Sequence, residues 1–357
     1  MNIDSHIITR RDTLHEALKR LNMLSGSEMT LIVLESENNR RVVGTLTNGD
    51  IRRALLSGFD LDRHVGEAMN SSFRRLSATI SDQVDTISEI RKLGITKVPV
   101  VDEEGRLVEI ADLGADRTRL PLSAIIMAGG KGERLRPKTL ETPKPLLEID
   151  GKAIIDYNVE AMIRAGIKDI TVATRYLAEK IYRHFENPID GVTVKCVTET
   201  VPLGTIGAAS LVKREPQGNT LIMNSDLLTT VSLEDVYLKH RDTEADVTVC
   251  VIPYQVSVPY AILTTDGEEV KGIDEKPSFS YYANAGIYIF SNDLLDTLRN
   301  DCRTDATDLI SRAIATGRKV VYHVINGTWI DIGSHTDFKQ AEELMRHHRN
   351  LAANSHS

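Results

Sequence analysis

The chain has 357 residues, which at about 150 residues per domain argues for two or three domains by length alone. Its 43 Lys and Arg stand against 51 Asp and Glu, and the net charge of -8 disfavours a general nucleic-acid binder. A hydrophobic fraction of 41% with 26% charged residues excludes disordered and collagen-like chains, and no apolar run approaches the roughly 18 residues that a bilayer span requires.

The first thirty residues lack an apolar stretch followed by a small-residue cleavage site. Cys196, Cys250 and Cys302 are widely spaced and form no C-x-x-C pair, so they read as reduced thiols rather than zinc ligands or disulfides. The expectation is a cytoplasmic protein without a membrane or nucleic-acid partner.

Residues 1–120 contain two passages of similar layout. In the first, 12–22 has helical apolar spacing, 30–35 and 41–47 read as strands, and 48–58 as a helix. The second repeats the order with a helix over 80–94, an extended run over 95–102, and a turn and strand over 103–110. Halves of about 1–62 and 63–120 are each too small to close a core alone, so they should pair. The string V-G-T-L-T-N-G-D-I-R-R (43–53) resembles the signature of tandem cystathionine-β-synthase (CBS) domains. That resemblance implies self-association and a nucleotide held by Thr47 and Asp50. Aligning Asp112 with Asp50 puts Glu109 at the place of Thr47, where a carboxylate would repel phosphate, so the second half should be degenerate.

A short link through Arg117, Thr118, Arg119 and Pro121 leads into alternating apolar runs and helical segments over 121–346. The extended runs fall at 123–130, 169–174, 192–198, 219–226, 245–253, 285–291 and 319–325, with a tail expected at 347–357. Such alternation predicts an α/β domain with a mainly parallel sheet.

At 124–152 a buried strand should end at Ala128, and Gly129, Gly130 and Gly132 let the backbone turn close to a ligand while exposed N–H groups form an anion-binding concavity. Leu135 stands where a dinucleotide fingerprint needs glycine, and no Gly-Lys-Ser/Thr closes a P-loop. Pro137, Pro143 and Pro145 prevent a long helix, and three cations, Lys131, Arg134 and Lys144, lie within fifteen residues of the turn. The full string G-G-x-G-x-R-L-x-P-x-T-x-x-x-P-K-P-L resembles the signature of sugar-1-phosphate nucleotidyltransferases, over roughly 123–345.

Further segments resemble that family in order. E-T-V-P-L-G-T-I-G-A (199–208) is similar to its base-recognition loop, implying that Glu199, Pro202, Gly204 and Thr205 lie at the base. N-S-D (224–226) implies a metal-binding Asp226, although an aspartate at a strand end is also a common helix cap. Ser225 replaces the glycine of many relatives. I-D-E-K-P (273–277) implies that Glu275 accepts from sugar hydroxyls and Lys276 meets phosphate; a surface turn is the plainer reading. N-A-G-I-Y-I-F (284–290) implies that Asn284 and Gly286 face the sugar, and W-I-D-I-G (329–333) implies a second metal ligand in Asp331.

The resemblance implies attack by a sugar-1-phosphate oxygen on the α-phosphorus of a nucleoside triphosphate. Arg134, Lys144 and Lys276 would neutralise phosphates, and Asp226 and Asp331 would hold Mg²⁺. No acid–base residue is needed, so His184, His240 and His323 receive no role. Glu199 argues for GTP, because a carboxylate can accept from both N–H groups of guanine. With the CBS tandem, the chain resembles the glucosamine-1-phosphate guanylyltransferases of legionaminic acid biosynthesis. Mannose- or heptose-1-phosphate acceptors, uridylyl, thymidylyl or cytidylyl transfer, and a nucleotide-sensing protein with an inactive transferase domain are the alternatives.

Overall fold

The computed structural model describes residues 3–24, 29–116 and 118–354, with the backbone alone for 347–354. Arg117 of the expected link lies outside the described residues. The chain divides into two compact units, Met1–Leu120 and Pro121–Ser357.

The first unit carries β1 (Ile7–Thr9), α1 (Leu14–Met23), β2 (Thr30–Leu34), β3 (Val42–Thr47) and α2 (Asn48–Leu56). After α3 (Val65–Ala68) come β4 (Leu76–Ser77), α4 (Val84–Lys92), β5 (Lys97–Val101) and β6 (Leu107–Asp112). Among the described residues these strands form two three-stranded sheets, β1-β2-β3 and β4-β5-β6. Each begins with a parallel pair and ends with a bulged antiparallel one. Leu14, Leu21, Leu31, Leu46 and Ile51 fill the first half, Ile87, Ile90 and Val98 the second. A further cluster draws Ile32, Leu34 and Val42 from one half and Val101, Leu107 and Ile110 from the other, so each half completes its partner's core. Val65 is fully buried in the first half's cluster, so that half runs past residue 62.

The repeat has a different register from the one the acids suggest. Thr47 pairs with Thr30, the first residue of β2, and Asp112 pairs with Lys97, the first residue of β5. Val42 and Leu107 likewise share a position beyond the bulge. Asp112 therefore occupies the place of Thr47, Glu109 that of Gly44, and Ala115 that of Asp50. Asp112 accepts from the Gly114 and Ala115 amides as a capping residue does, and pairs with Lys97.

The second unit contains β7 (Leu122–Ala128), β8 (Glu148–Ile149), β9 (Lys152–Ala153), α5 (Ile154–Arg164), β10 (Asp169–Thr174), α6 (Ala178–His184), β11 (Lys195–Thr198), β12 (Asn219–Asn224) and β13 (Leu227–Thr229). It continues with α7 (Leu233–Asp242), β14 (Val247–Ser257), β15 (Ile262–Asp266), β16 (Glu269–Asp274), β17 (Ser278–Ser291), α8 (Asn292–Leu295), α9 (Ala306–Ala315), β18 (Val320–Val324), β19 (Trp329–Asp331) and α10 (His335–Asn354). Among the described residues a seven-stranded sheet has the order β11-β10-β7-β12-β17-β14-β18, and β17 alone runs against its neighbours. The expected mainly parallel α/β architecture is the one observed. Strands buried on both faces explain the continuous apolar runs: Ile125, Ile222, Val247 and Phe290 are packed with Leu295 and Leu309 of the helices.

Two differences follow from patterns that alternation cannot resolve. β14 and β17 extend beyond the sheet as a two-stranded ribbon, Pro253–Ser257 against Ser278–Tyr282, joined to the β15–β16 hairpin. Tyr254 and Tyr281, 57% and 59% exposed, pair across it, as do the exposed Val256 and Phe279. Their apolar alternation looks like core in the sequence but lies on an exposed arm. At the end of the chain, α10 continues through Asn354 without Gly or Pro to stop it, so residues 347–354 are helical rather than a tail; 355–357 lie outside the described residues.

Candidate active site

The carboxyl ends of four adjacent strands converge, the position at which open α/β sheets bind ligands. Gly129 follows β7, Arg175 follows β10, Glu199 follows β11, and Asn224 ends β12 just before Asp226. They line a cavity of about 420 Å³ together with Gly130, Lys144, Pro202, Gly204, Thr205, Arg303 and Asp305.

The glycine loop has three distinct steric uses. A Cβ on Gly129 would fall 2.7 Å from Glu199 Oε1, so this glycine makes room for a protein carboxylate. Gly130 lines the cavity, and a Cβ there would meet no atom within 4 Å, leaving its backbone open to a ligand. Gly132 has φ 62° and abuts Lys144 Cβ and Thr139 Cγ2, each 3.0 Å from where its own Cβ would be. Gly132 is outside the cavity lining and shapes the turn that carries Lys144. Ala128 is buried at the end of β7, where Met127 supplies the lining.

Lys144, 8% exposed, sits in a short 3₁₀ turn, Lys144–Leu146, with Pro145 inside it. Its ammonium pairs with Asp226 and lies 3.9 Å from Asp331. Antiparallel pairing of β13 with β19 sets these carboxylates side by side, and the Ile332 amide donates to the Asp226 carbonyl at 3.0 Å. Burial holds the Asp331 carboxyl above the ordinary carboxylate range, and Asp226 adds to that shift against the opposing pull of Lys144 and Arg134. Arg134 is outside the cavity lining; its Nη2 would be 3.1 Å from a Cβ on Gly333, which places the guanidinium over the segment after β19.

Glu199, 6% exposed, accepts from the Leu203 amide at 3.0 Å, closing the loop at the head of the 199–208 string. The far end of that loop is clamped by the start of α9. Asp305 accepts from the Thr205 amide at 2.9 Å, and Thr205 Oγ1 accepts from the Ala306 amide at 2.8 Å. Asp305, Arg303, Arg175 and Asn224 were invisible as site residues in the sequence. The first three are single charges outside any motif, and Asp305 lies 100 positions from the residue it holds.

Of the residues expected on the sugar side, Gly286 (φ 70°) abuts Asn224, whose Nδ2 would be 2.5 Å from a Cβ there, and Asn284 Oδ1 accepts from the Gly286 amide at 3.0 Å. The indole of Trp329 donates to the Ala285 carbonyl at 2.9 Å and ties this bend to β19. Glu275 and Lys276 are not brought to the cavity. They are exposed on the turn between β16 and β17, where Lys276 takes φ 47°, a conformation rare for a side-chain-bearing residue. Ser225 is buried and its amide donates to the Met127 carbonyl at 3.1 Å.

In the first unit, a second cavity of about 480 Å³ is lined by Thr47, Asp50 and Arg53 of the first half and by Arg74, Gly94, Ile95 and Lys97 of the second. Thr47 caps α2, and Asp50 accepts in return from the Thr47 amide at 2.8 Å while pairing with Arg53. Local capping thus engages both residues.

Residues 123–348 match the family described as Nucleotidyl transferase, and the chain belongs to that family. The chain is 31% identical over 223 residues to "Mannose-1-phosphate guanylyltransferase catalytic subunit beta" of Drosophila pseudoobscura pseudoobscura, a match covering 60% of each chain. It is 30% identical over 230 residues to the protein of the same name in Dictyostelium discoideum, covering 61% of this chain and 62% of the relative. The chain thus spans about three-fifths of the length of these curated relatives. A solved structure of a "Putative Glucose-1-Phosphate Thymidylyltransferase" from Bacillus anthracis, in complex with a sucrose, shares the fold with a TM-score of 0.51 at 22% identity, over 63% of this chain and 95% of that one. Among the described residues no helix is long and apolar enough to cross a membrane.

Proposed function

We propose that the second unit transfers a nucleoside monophosphate from GTP to a sugar-1-phosphate. An acceptor phosphate oxygen bonds to the α-phosphorus, the bond to the β-phosphate bridging oxygen breaks, and pyrophosphate leaves. The observation that carries this reading is the cavity that Lys144 and Asp226 line with Gly129, Gly130 and Glu199, with Asp331 alongside Lys144. Both substrates are polyanions, so holding them in line and neutralising charge is the main catalytic task, and no covalent nucleophile is required. The Gly129–Gly130 backbone faces the triphosphate, Arg134 and Lys144 balance its charge, and Asn284 and Gly286, packed beside Asn224, serve the acceptor, whereas Glu275 and Lys276 stand on the arm outside the cavity.

Among the described residues no group of three or more His, Cys, Asp or Glu gathers to hold a metal. Asp226 and Asp331 nevertheless fit a divalent ion such as Mg²⁺, which keeps waters and substrate oxygens and needs only one or two carboxylates from the protein. Burial, with the Asp226 charge beside it, disfavours the ionised Asp331 carboxylate, and a bound cation would offset that cost. When bound, the ion supplies charge neutralisation at phosphoryl oxygens.

The relatives' names favour a guanylyltransferase and weigh toward mannose-1-phosphate rather than glucosamine-1-phosphate as acceptor. For the first unit we propose a CBS pair that self-associates and holds one nucleotide at Thr47 and Asp50. The repeated sheets and the Arg53, Arg74 and Lys97 lining support this. Buried Cys250, its thiol pushed up to about 12 by burial, stays protonated and takes no part in the chemistry.

Pyrophosphate release measured over a matrix of GTP, UTP, dTTP, CTP and ATP with mannose-, glucosamine-, glucose- and heptose-1-phosphates tests the catalytic reading. The expected maximum is GTP with mannose-1-phosphate; preference for UTP or dTTP, or no release in any combination, would overturn it.

A further inference from the structure

We infer that Arg175 selects the base, donating to the O6 carbonyl of guanine while Glu199 beside it accepts from the N1–H and the 2-amino group. This rests on the guanylyl-transfer reading and assigns a residue to it that no motif contains.

The sheet register places the two side chains together. Thr174 and Thr198 are opposite each other at the ends of β10 and β11, and the Glu199 amide donates to the Thr174 carbonyl at 2.9 Å. Arg175 and Glu199 are the next residues on each strand, and both line the cavity. Arg175 Nε is 4.0 Å from Glu199 Oε2, close enough for each charge to stabilise the other but beyond hydrogen-bond length. The guanidinium therefore retains donors for a ligand. Glu199 directs Oε2 to the Leu203 amide and sets Oε1 over Gly129.

The result is a donor next to a carboxylate acceptor in a half-buried wall. Guanine presents O6 as acceptor, then N1–H and the 2-amino group as donors, the matching order. Adenine and cytosine present an amino group toward the arginine and a ring-nitrogen lone pair toward the carboxylate, opposing both groups. Uracil and thymine match at O4 and N3–H but turn O2 toward the carboxylate. A buried polar group left facing its like costs more than a lost contact, which makes such a pair discriminating. A phosphate role for Arg175 fits less well, because the adjacent Glu199 would repel a phosphate. The cations set against the opposite carboxylates are Lys144 and Arg134.

The test is equilibrium binding and kcat/KM of the full-length protein and Arg175→Met. The ligands are GTP, ITP, which keeps O6 but lacks the 2-amino group, and the triphosphate of 2-aminopurine riboside, which lacks O6. Thermal melts confirm that the variant is folded. Loss of a hydrogen bond from a charged donor should weaken GTP and ITP about ten- to a hundredfold. The 2-aminopurine nucleotide should change less than about threefold, because Arg175 has no partner on it. Equal losses for all three would assign Arg175 to the phosphates or to structure and overturn the inference, while wild-type preference for GTP would leave the guanylyl reading standing. Wild-type preference for another natural triphosphate would overturn both.

Discussion

Gly204 faces the backbone of Thr304, and at its φ of 86° a Cβ would run into the Thr304 carbonyl oxygen and lie 2.8 Å from Asp305 Oδ1. Neither neighbour can yield, since Thr304 also accepts from the Ile206 and Gly207 amides and Asp305 holds the Thr205 amide. Gly204→Ala should cost about 1–3 kcal/mol of stability from backbone strain alone. It should also raise the KM for the triphosphate about tenfold or more by displacing the loop, with a smaller change for the sugar phosphate. Thermal melts and steady-state kinetics with each substrate varied check both parts.

Asp226→Asn and Asp331→Asn each remove a carboxylate at nearly constant volume. Turnover should fall at least about a hundredfold in either variant if the charges hold Mg²⁺; a near wild-type rate would remove that residue from the assignment.

The same site predicts a stability change of opposite sign. Because the folded pKa of Asp331 is raised above 3.8, the folded state binds its proton more tightly than the unfolded state. Stability is therefore lost as pH rises from the ordinary carboxylate value through the folded one, and that loss persists at neutral pH. Without divalent metal, Asp331→Asn should melt higher than the wild type at pH 7, with the difference closing below about pH 3.8.

His240, 3% exposed, lies between Thr248 Oγ1 at 2.9 Å and Asn219 Oδ1 at 3.1 Å, and burial lowers its pKa to about 4 against a small opposing effect of Asp246. Protonation occurs first in the unfolded chain, so stability present above pH 6.5 is lost as pH falls toward about 4. The acid limb should lose on the order of 3 kcal/mol over that window, and His240→Gln should flatten it. Urea titrations at several pH values measure the slope.

In the first unit, calorimetry of the full chain with adenine nucleotides should show binding that Thr47→Val abolishes and Asp112→Asn leaves intact. Thr47→Val also removes a cap worth about 1 kcal/mol, which a melt registers separately. Equal effects of both substitutions would mean that the halves are equivalent sites, and no binding to the wild type would leave a packing role.

The sheet was legible because strands such as 219–224 and 285–291 are buried on both faces and so write continuous apolar runs. Asp226, Asp331, Lys144 and Glu199 could be picked out because each stands in a string whose order is distinctive, and the cavity unites three of them with Asp331 alongside. Arg175 and Asp305 could not, since only strand order and the α9 clamp bring them in. The repeat was misaligned because matching Asp112 to Asp50 followed chemistry, while the fold matches strand end to strand end. The ribbon was hidden because Tyr254 and Val256 alternate with their neighbours as core residues would.

The arm has a consequence for how such a chain can diversify. Arg175, Glu199 and Asp226 are rooted at strand ends inside the ladder, whereas Glu275 and Lys276 stand on a ribbon attached to the sheet by two strands past the bulge between Val249 and Val251. Lengthening or rewriting 258–277 therefore leaves the hydrogen-bonded register of β7, β10, β11 and β12 untouched. A chimera carrying a relative's 258–277 ribbon should therefore keep its host's sheet, and with it the strand-end residues Arg175, Glu199 and Asp226 in place.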